Sequence, residues 1–460
     1  MSATGNRPNV VVFVADDLGW ADLSCYGAQG VHTPRIDELA AVGTRFVDCH
    51  AASSVCTPSR YAILTGRYPW RSPLKRGVLG GADPCIIPVG MPTLASLAKQ
   101  AGYRTGAFGK WHLGLGWKRL DGTRADAFDG GFAPDMQGDG RDLDYSEPFT
   151  NGPTAHGFER FFGISGSLDM PPYCFLDQDR TVGLPTIEKA PLHTSQRPGL
   201  TVEGWQDDQV DVRITEETVS WLQRPDDRPF LAYVASAAPH RPCVPPDFVR
   251  GTSKAGARGD SIHLVDWMVG RIVDALDPET RANTIFLVTS DNGAPMIFPE
   301  DGDVTTFPPN GHWRGQKADA YEGGHRVPLV CSGPGVAATA VRDQPISLLD
   351  LMPTLAELVG MPPVPDVDGR TLADVGGGRI IGVQAYDGRL VLRRDQDKAI
   401  YGSGSGGFSE PVGEPCGPDS DDGQLYDLAN DPQESLNLWS AGSLARELHE
   451  EYRDRTGYPG

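Results

Sequence analysis

Asn9-Val10-Val11-Val12-Phe13-Val14-Ala15 is a short apolar run, and Asp16-Asp17-Leu18-Gly19 follows it directly. Runs of this length that are rich in β-branched residues are typical of strands buried on both faces of a parallel sheet. Residues 230–236 and 284–289 have the same character, and they are followed by Pro239-His240 and by Asp291-Asn292. Each predicted strand therefore ends close to polar side chains that could carry chemistry.

Helical patterns lie between and after these strands. They cover residues 93–101, 262–276 and 347–359. Strands that alternate with helices predict an α/β fold with a large, mostly parallel sheet sandwiched by helices. Ligands of such sheets bind beyond the carboxyl ends of the strands. We therefore expect the segments that carry Asp16, His240 and Asp291 to meet in space.

The pattern changes after about Gly360. Residues 379–394 alternate as strands do, and Leu444, Leu448 and Tyr452 are spaced four apart, as on one face of an amphipathic helix. These features predict a smaller C-terminal domain of antiparallel sheet plus helix. We predict a division into a catalytic domain, residues 1–375, and a small α+β domain, residues 376–460.

Charge and cysteine content limit the classes of partner. The chain has 61 acidic and 41 basic side chains and a net charge of −20, which argues against nucleic acid and anionic membranes as partners. An anionic substrate would be repelled too, so binding one requires a local cluster of cations. The polar N-terminus, the eight isolated cysteines and the lack of a long apolar run predict a cytoplasmic protein with reduced thiols.

Two pairs of hard oxygen ligands follow predicted strands. Asp16 and Asp17 form one pair, and Asp291 and Asn292 form the other. Carboxylate and amide oxygens select Ca²⁺ or Mg²⁺ over zinc. Either pair alone is equally consistent with a turn or a helix cap. Together they predict a site for a hard divalent cation.

The segment Cys56-Thr57-Pro58-Ser59-Arg60 precedes Leu64-Thr65-Gly66-Arg67. Proline is typical of the first turn of a helix, so Cys56 is predicted at a helix N-terminus. Free backbone N–H groups and the positive end of the helix dipole favour an anion there. Arg60 lies one turn on and is expected on the same face as position 56.

Four further residues could supply the cations or proton-transfer groups that an anion requires. Lys110 and His112 are two residues apart, so in an extended backbone both would point to one side. His240 and Lys317 complete the set. Taken singly, each is as consistent with a solvated lysine or a hydrogen-bonded histidine.

These motifs, in this order, resemble those of the type I sulfatases of the alkaline phosphatase superfamily, and the likeness continues to Leu425-Tyr426-Asp427-Leu428. In that family a maturase oxidises the motif cysteine to formylglycine (3-oxoalanine), and the aldehyde hydrate is the nucleophile. The resemblance implies one calcium ion held by Asp16, Asp17, modified Cys56, Asp291 and Asn292. It places Arg60, Lys110, His112, His240 and Lys317 around the sulfate.

The resemblance implies a sulfuric ester hydrolase of the arylsulfatase kind, which acts on sulfate monoesters of an aryl alcohol or a carbohydrate. Its partners would be a sulfated small molecule or saccharide and, transiently, the maturase. We expect residues 120–157 and 168–197 to line the substrate pocket. One alternative is a phosphonate monoester or phosphodiester hydrolase of the same superfamily. Another is a non-catalytic calcium- and anion-binding relative with an unmodified cysteine. A cysteine hydrolase would leave the four metal-type oxygens unexplained.

Overall fold

A computed structural model describes residues 7–124, 126–128, 138–192, 194–296, 300–302, 306–361, 364–373, 377–439 and 443–458. The strands in these residues are β1 (Asn9–Ala15), β2 (Thr44–His50), β3 (Arg104–Lys110), β4 (Arg160–Ile164), β5 (Leu176–Asp177), β6 (Arg180–Thr181), β7 (Ile187–Lys189), β8 (Gly199–Thr201), β9 (Phe230–Ala235), β10 (Thr284–Ser290), β11 (Arg326–Ser332), β12 (Ala340–Arg342), β13 (Ile346–Ser347), β14 (Ile380–Gln384), β15 (Leu390–Arg394), β16 (Asp397–Ile400) and β17 (Gln424–Asp427). The α-helices are α1 (Pro34–Val42), α2 (Cys56–Thr65), α3 (Leu94–Gln100), α4 (Val210–Leu222), α5 (Gly256–Asp274), α6 (Pro278–Ala282), α7 (Glu322–His325), α8 (Leu351–Leu358) and α9 (Ser443–Thr456). None of the helices described here has the length and apolarity to cross a bilayer.

The strand β1 lies at the centre of a large sheet. The strand order is β12-β2-β11-β10-β1-β9-β3-β4-β5-β6, and β13 pairs with β2. The five neighbours β10, β1, β9, β3 and β4 are parallel, whereas β11 is antiparallel to β10. The predicted α/β class with a mostly parallel sheet is confirmed.

Both faces of β1 are covered, which explains its continuous apolar sequence. Val10, Val12 and Val14 belong to a core on one face of the sheet, together with side chains of α2, α3 and α8. Val11 and Phe13 belong to a core on the opposite face, with side chains of α1, α4 and α5. Burial on both faces requires apolar side chains at successive positions.

The limits of α3 follow the prediction within one residue, whereas α8 begins at Leu351, four residues after the predicted start, and α5 begins before its predicted start. Thr93 caps α3 and forms a capping box with Ser96, and Gly360 takes φ 74° after α8. The helix α5 begins at Gly256, well before the predicted start at residue 262. Its first turns lack apolar periodicity, and the buried ion pair of Arg258 with Asp22 holds them instead.

The strands β14 to β17 form a separate antiparallel sheet. Leu448 and Tyr452 of α9 pack on one of its faces, and Ala320 and Tyr321 pack on the other. The predicted small antiparallel sheet with a helix is confirmed. The predicted division between residues 375 and 376 lies outside the described residues and stays a prediction.

Charged and imidazole side chains are buried between the two sheets, and we call them the intersheet cluster. They are Asp48, His50, Glu322, His325, Arg326, Arg393, Lys398 and Glu434. Lys398 Nζ lies 3.1 Å from Glu322 Oε1 and 2.7 Å from Glu434 Oε1. Arg393 of β15 lies 2.7 Å from Asp48 of β2. The cluster therefore joins the small sheet to the large one.

Candidate active site

The carboxyl ends of β1, β3, β9 and β10 lie at the same edge of the large sheet, because these strands are parallel neighbours. Asp16 and Asp17 follow β1, and Asp291 and Asn292 follow β10. The strand β3 ends at Lys110. The structure brings together the segments that the sequence predicted to meet.

Each buried carboxylate at this edge pairs with a cation. Lys110 Nζ lies 2.8 and 2.7 Å from the two oxygens of Asp16, and Lys317 Nζ lies 2.8 Å from Asp17 Oδ1. Arg60 lies 2.8 Å from Asp291 Oδ2. Burial opposes the charge on Asp16, yet the neighbouring cations, Lys110 foremost, hold its pKa well below the ordinary value.

The oxygen set also fits a hard divalent cation. Asn292 donates through Nδ2 to Asp17 Oδ1 at 2.7 Å, but its buried Oδ1 has no hydrogen-bond partner among the described residues. Burial and the nearby Asp16 together raise the pKa of Asp291 to about 6, although Arg60 lowers it. An unpartnered amide oxygen beside crowded carboxylates is the donor set that Ca²⁺ or Mg²⁺ prefers.

Cys56 is the first residue of α2, and only 2% of it is exposed. One ligand atom from each of Asp16, Asp17, Cys56 and His240 can be chosen so that all lie within 4.8 Å of one another. Burial raises the pKa of the Cys56 thiol to about 12. The unmodified thiol is therefore protonated at neutral pH and a poor nucleophile, which argues against a cysteine hydrolase.

Arg60 and Lys110 pair with the carboxylates and do not line the cavity described below, and their place around a sulfate, which the resemblance implies, stays a prediction. The Arg60 guanidinium bonds Asp291, approaches Asp16 Oδ1 at 3.4 Å and donates to the Lys110 carbonyl at 3.2 Å. Its side chain is fully buried, because it extends from the second turn of α2 to the carboxylates at the sheet edge. Both cations therefore act on the carboxylates first.

The backbone conformation at His112 differs from the predicted one. The extended backbone expected for residues 110–112 is wrong, because β3 ends at Lys110 and His112 takes the left-handed φ of 53°. Its Nε2 donates to the Leu79 carbonyl at 2.7 Å, and its buried Nδ1 has no hydrogen-bond partner in the described part of the chain. Burial lowers its pKa well below the ordinary value, so the ring is neutral with a free lone pair on Nδ1.

His240 forms its backbone hydrogen bond through the other ring nitrogen. Its Nδ1 donates to the Arg241 carbonyl at 2.5 Å, and its Nε2 lies 3.6 Å from Asp17 Oδ2. Asp211 of α4 holds this segment by accepting the N–H groups of Ala237 and Ala238, each at 2.8 Å. Sequence reasoning missed Asp211, whose only signal is a carboxylate within a helical pattern.

A cavity of about 750 Å³ opens above the carboxylates. The candidate residues that line it are Asp17, Cys56, His112, His240 and Lys317. Lys317 has a pKa well above the ordinary value, because Asp17 outweighs the effect of burial. One cavity surface thus carries the Cys56 side chain, two imidazoles and a lysine. This arrangement is suited to binding and cleaving an anionic ester.

The predicted walls of the cavity are confirmed in part. Asp169, Met170 and Arg197 line it, as expected for residues 168–197. The expectation for residues 120–157 is wrong for the described part of that range, of which no residue lines the cavity; residues 125 and 129–137 lie outside the described residues. Tyr386 and Phe408 were not predicted, because they reach the cavity only through packing of the C-terminal sheet.

A second group of possible metal ligands belongs to the intersheet cluster. The group consists of His50, Glu322 and His325. However, Lys398 Nζ lies 3.2 Å from His325 Nε2, and Arg393 Nη1 lies 2.8 Å from His50 Nε2. A divalent cation would meet these positive charges at close range, so we assign the group a structural role.

The sequence matches the Sulfatase family over residues 8–361. It is 34% identical to an N-acetylgalactosamine-6-O-sulfatase of Bacteroides thetaiotaomicron, over 96% of this chain and 92% of that protein. It is 32% identical to arylsulfatase A of Homo sapiens, over 95% of this chain and 84% of that protein. A solved structure from work on the metabolism of multiple glycosaminoglycans by Bacteroides thetaiotaomicron has a TM-score of 0.83 at 29% identity, covering 98% of this chain and 100% of that one.

Proposed function

Because the chain belongs to the sulfatase family, and is therefore a sulfuric ester hydrolase, we propose that it cleaves sulfate monoesters with a formylglycine made from Cys56 and with one calcium ion. The calcium ligands would be Asp16, Asp17, Asp291, Asn292 and modified Cys56. The observation that carries the proposal is the position of Cys56, at the start of α2 and beside the carboxylates. The transient maturase partner and the cytoplasmic location also stay predictions.

Formylglycine would supply a nucleophilic aldehyde hydrate. The calcium ion would supply a positive charge that acidifies this hydrate and binds the sulfuryl oxygens. The chain's own residues would do the rest. Lys317, on the cavity surface, would neutralise charge on the sulfuryl group, and the deeper Lys110 would add to the positive potential. The N–H groups at the start of α2 favour the same anion.

The two histidines are suited to opposite proton transfers. His240 has its Nδ1 proton engaged by a carbonyl, so Nε2 is the atom that would deliver a proton to the departing alcohol oxygen. His112 is neutral and has a free lone pair on Nδ1, so it would accept the proton whose removal releases sulfate and restores the aldehyde. A saccharide or an aryl alcohol could serve as the leaving group in this scheme.

We expect His240→Ala to lower kcat for an alkyl or sugar sulfate by about 10²–10⁴-fold, because an alkoxide leaves poorly without a proton. The loss on 4-nitrophenyl sulfate should be far smaller, since nitrophenolate is a good leaving group. Release of sulfate from both esters measures the difference. His263→Ala is the matched control, because His263 lies on α5 and does not line the cavity. Equal losses on both esters would contradict the assignment.

The experiment that tests the reaction class compares an aryl sulfate, an aryl phosphonate and a bis-aryl phosphate with the same leaving group. We expect the sulfate ester to have the highest kcat/KM. Faster cleavage of either phosphorus ester would favour the phosphonate monoester or phosphodiester hydrolase. Binding of calcium and sulfate without turnover would favour the non-catalytic relative.

A further inference from the structure

One wall of the cavity carries charged side chains whose hydrogen-bonding capacity is incompletely used. Asp169 is 8% exposed, and its Oδ1 has no hydrogen-bond partner among the described residues. The buried Nη1 of Arg197 also has no hydrogen-bond partner in the described part of the chain. The other ends of the two side chains face each other, with Asp169 Oδ2 at 3.5 Å from Arg197 Nη2. Buried polar atoms without partners cost free energy, so these two point to a ligand.

Hydrogen bonds hold together the backbone segments that carry the two side chains. The Arg197 N–H donates to the Asp169 carbonyl at 2.9 Å, and Gln196 Nε2 donates to the Leu168 carbonyl at 3.0 Å. Tyr173 donates through its hydroxyl to the Arg197 carbonyl at 2.7 Å. The backbone beneath the carboxylate and the guanidinium is thus fixed before any ligand binds, and the 3.5 Å contact between the two groups limits their movement, which lowers the entropy cost of binding.

A carboxylate beside a guanidinium has the chemistry to bind two neighbouring hydroxyl groups. The carboxylate accepts from one O–H group, and the guanidinium donates to a hydroxyl oxygen. Tyr386 and Phe408 also line this cavity, with ring centroids 5.5 Å apart, and Met170 and Met296 add apolar surface. Adjacent polar and apolar surfaces match a pyranose, which has hydroxyl groups at its rim and C–H groups on its faces. A simple phenol has no hydroxyl groups for Asp169 and Arg197.

We propose that Asp169 and Arg197 are specificity residues that bind two neighbouring hydroxyl groups of a sulfated sugar, so that the preferred leaving group is a pyranose alcohol and not a phenol. The inference rests on the proposed function, because it assigns the substrate class of the same cavity. It also gives the two residues no part in bond cleavage. Their loss should therefore affect sugar esters selectively.

The test compares N-acetylgalactosamine 6-sulfate and galactose 6-sulfate with 4-nitrophenyl sulfate, using wild type, Asp169→Ala and Arg197→Met. We expect each substitution to lower kcat/KM for the better sugar ester by about 10- to 150-fold, the value of a hydrogen bond to a charged group. The rate on 4-nitrophenyl sulfate should change less than about threefold, which also shows that the variants fold. Arg213→Met is the matched control, since Arg213 pairs with Glu217 on α4 and does not line the cavity.

Each outcome has a distinct meaning. A selective loss on the sugar ester supports the inference. Unchanged sugar turnover, or equal losses on sugar and aryl esters, overturns it while leaving the proposed function intact. A wild-type enzyme that cleaves the aryl ester and neither sugar ester also overturns it. Release of sulfate from none of the three esters by maturase-treated wild type would instead contradict the proposed function, and the inference would fall with it.

Discussion

Replacing Cys56 with alanine is expected to abolish sulfate release from every ester, with kcat falling by about 10⁶-fold, as when other hydrolases lose their nucleophile. Alanine offers no oxygen that could attack sulfur, and the remaining groups at the site only bind the anion or transfer protons. The fold should persist, because the substitution removes one sulfur atom from the start of α2. Sulfate release and thermal unfolding of the same preparation measure the two effects.

Two further variants sharpen this prediction. Cys174→Ala removes another buried free thiol that does not line the cavity, and it should keep full turnover. Cys56→Ser keeps one hydroxyl but has no second one from which a carbonyl could re-form. It should accumulate a sulfate ester on the introduced serine, visible by peptide mass spectrometry.

The wild-type peptide should carry the mass of the aldehyde in place of the thiol. Near-normal turnover in Cys56→Ala would refute the formylglycine mechanism.

The strand ends were predictable from the sequence because burial on both faces imposes a distinctive composition. An apolar run such as Val10–Val14 has no polar face, so it fits the centre of a parallel sheet. The residues after such a run must lie at the carboxyl edge of the sheet. Asp16 and Asp291 were therefore predictable neighbours from the two strand sequences alone.

The direction of individual side chains at the site was not predictable in the same way. Arg60 was expected near a substrate anion, and its pairing with the buried carboxylate of Asp291 could not be read from the sequence. His112 depends on a left-handed turn just after β3, a conformation that no spacing rule signals. Tyr386 lies far along the chain from Cys56. Its place in the cavity depends on how the small sheet packs, which local sequence patterns do not encode.

The strongly acidic chain also explains why the site needs so many cations. With a net charge of −20 the protein repels anions at long range, and the three carboxylates at the sheet edge add to that locally. Lys110, Lys317 and Arg60 balance those carboxylates in the described structure. Binding of an anionic ester would then require positive charge in addition to these three cations. A divalent cation would supply it.

Removal of divalent cations should therefore reduce sulfate release to background, and Ca²⁺ should restore it. Without the cation, the site has only enough positive charge to balance Asp16, Asp17 and Asp291, and Asn292 Oδ1 lacks a partner among the described residues. Because the cation would bind the folded protein and not the unfolded chain, it should also stabilise the fold by about 2.7 kcal/mol at a hundredfold excess over Kd. Sulfate release, bound metal and the unfolding temperature are measured on the same chelated and reloaded samples.

Asn292→Ala distinguishes a cation site from a cluster of internal ion pairs. If Asn292 Oδ1 is a ligand, the variant should bind Ca²⁺ more weakly and show a smaller rise in unfolding temperature at a given Ca²⁺ concentration. Asn283→Ala is the matched control, because Asn283 caps α6 at the opposite end of β10 and should leave the response unchanged. Full activity in metal-free protein, or an equal response in both variants, would show that the lysines and Arg60 alone satisfy the carboxylates.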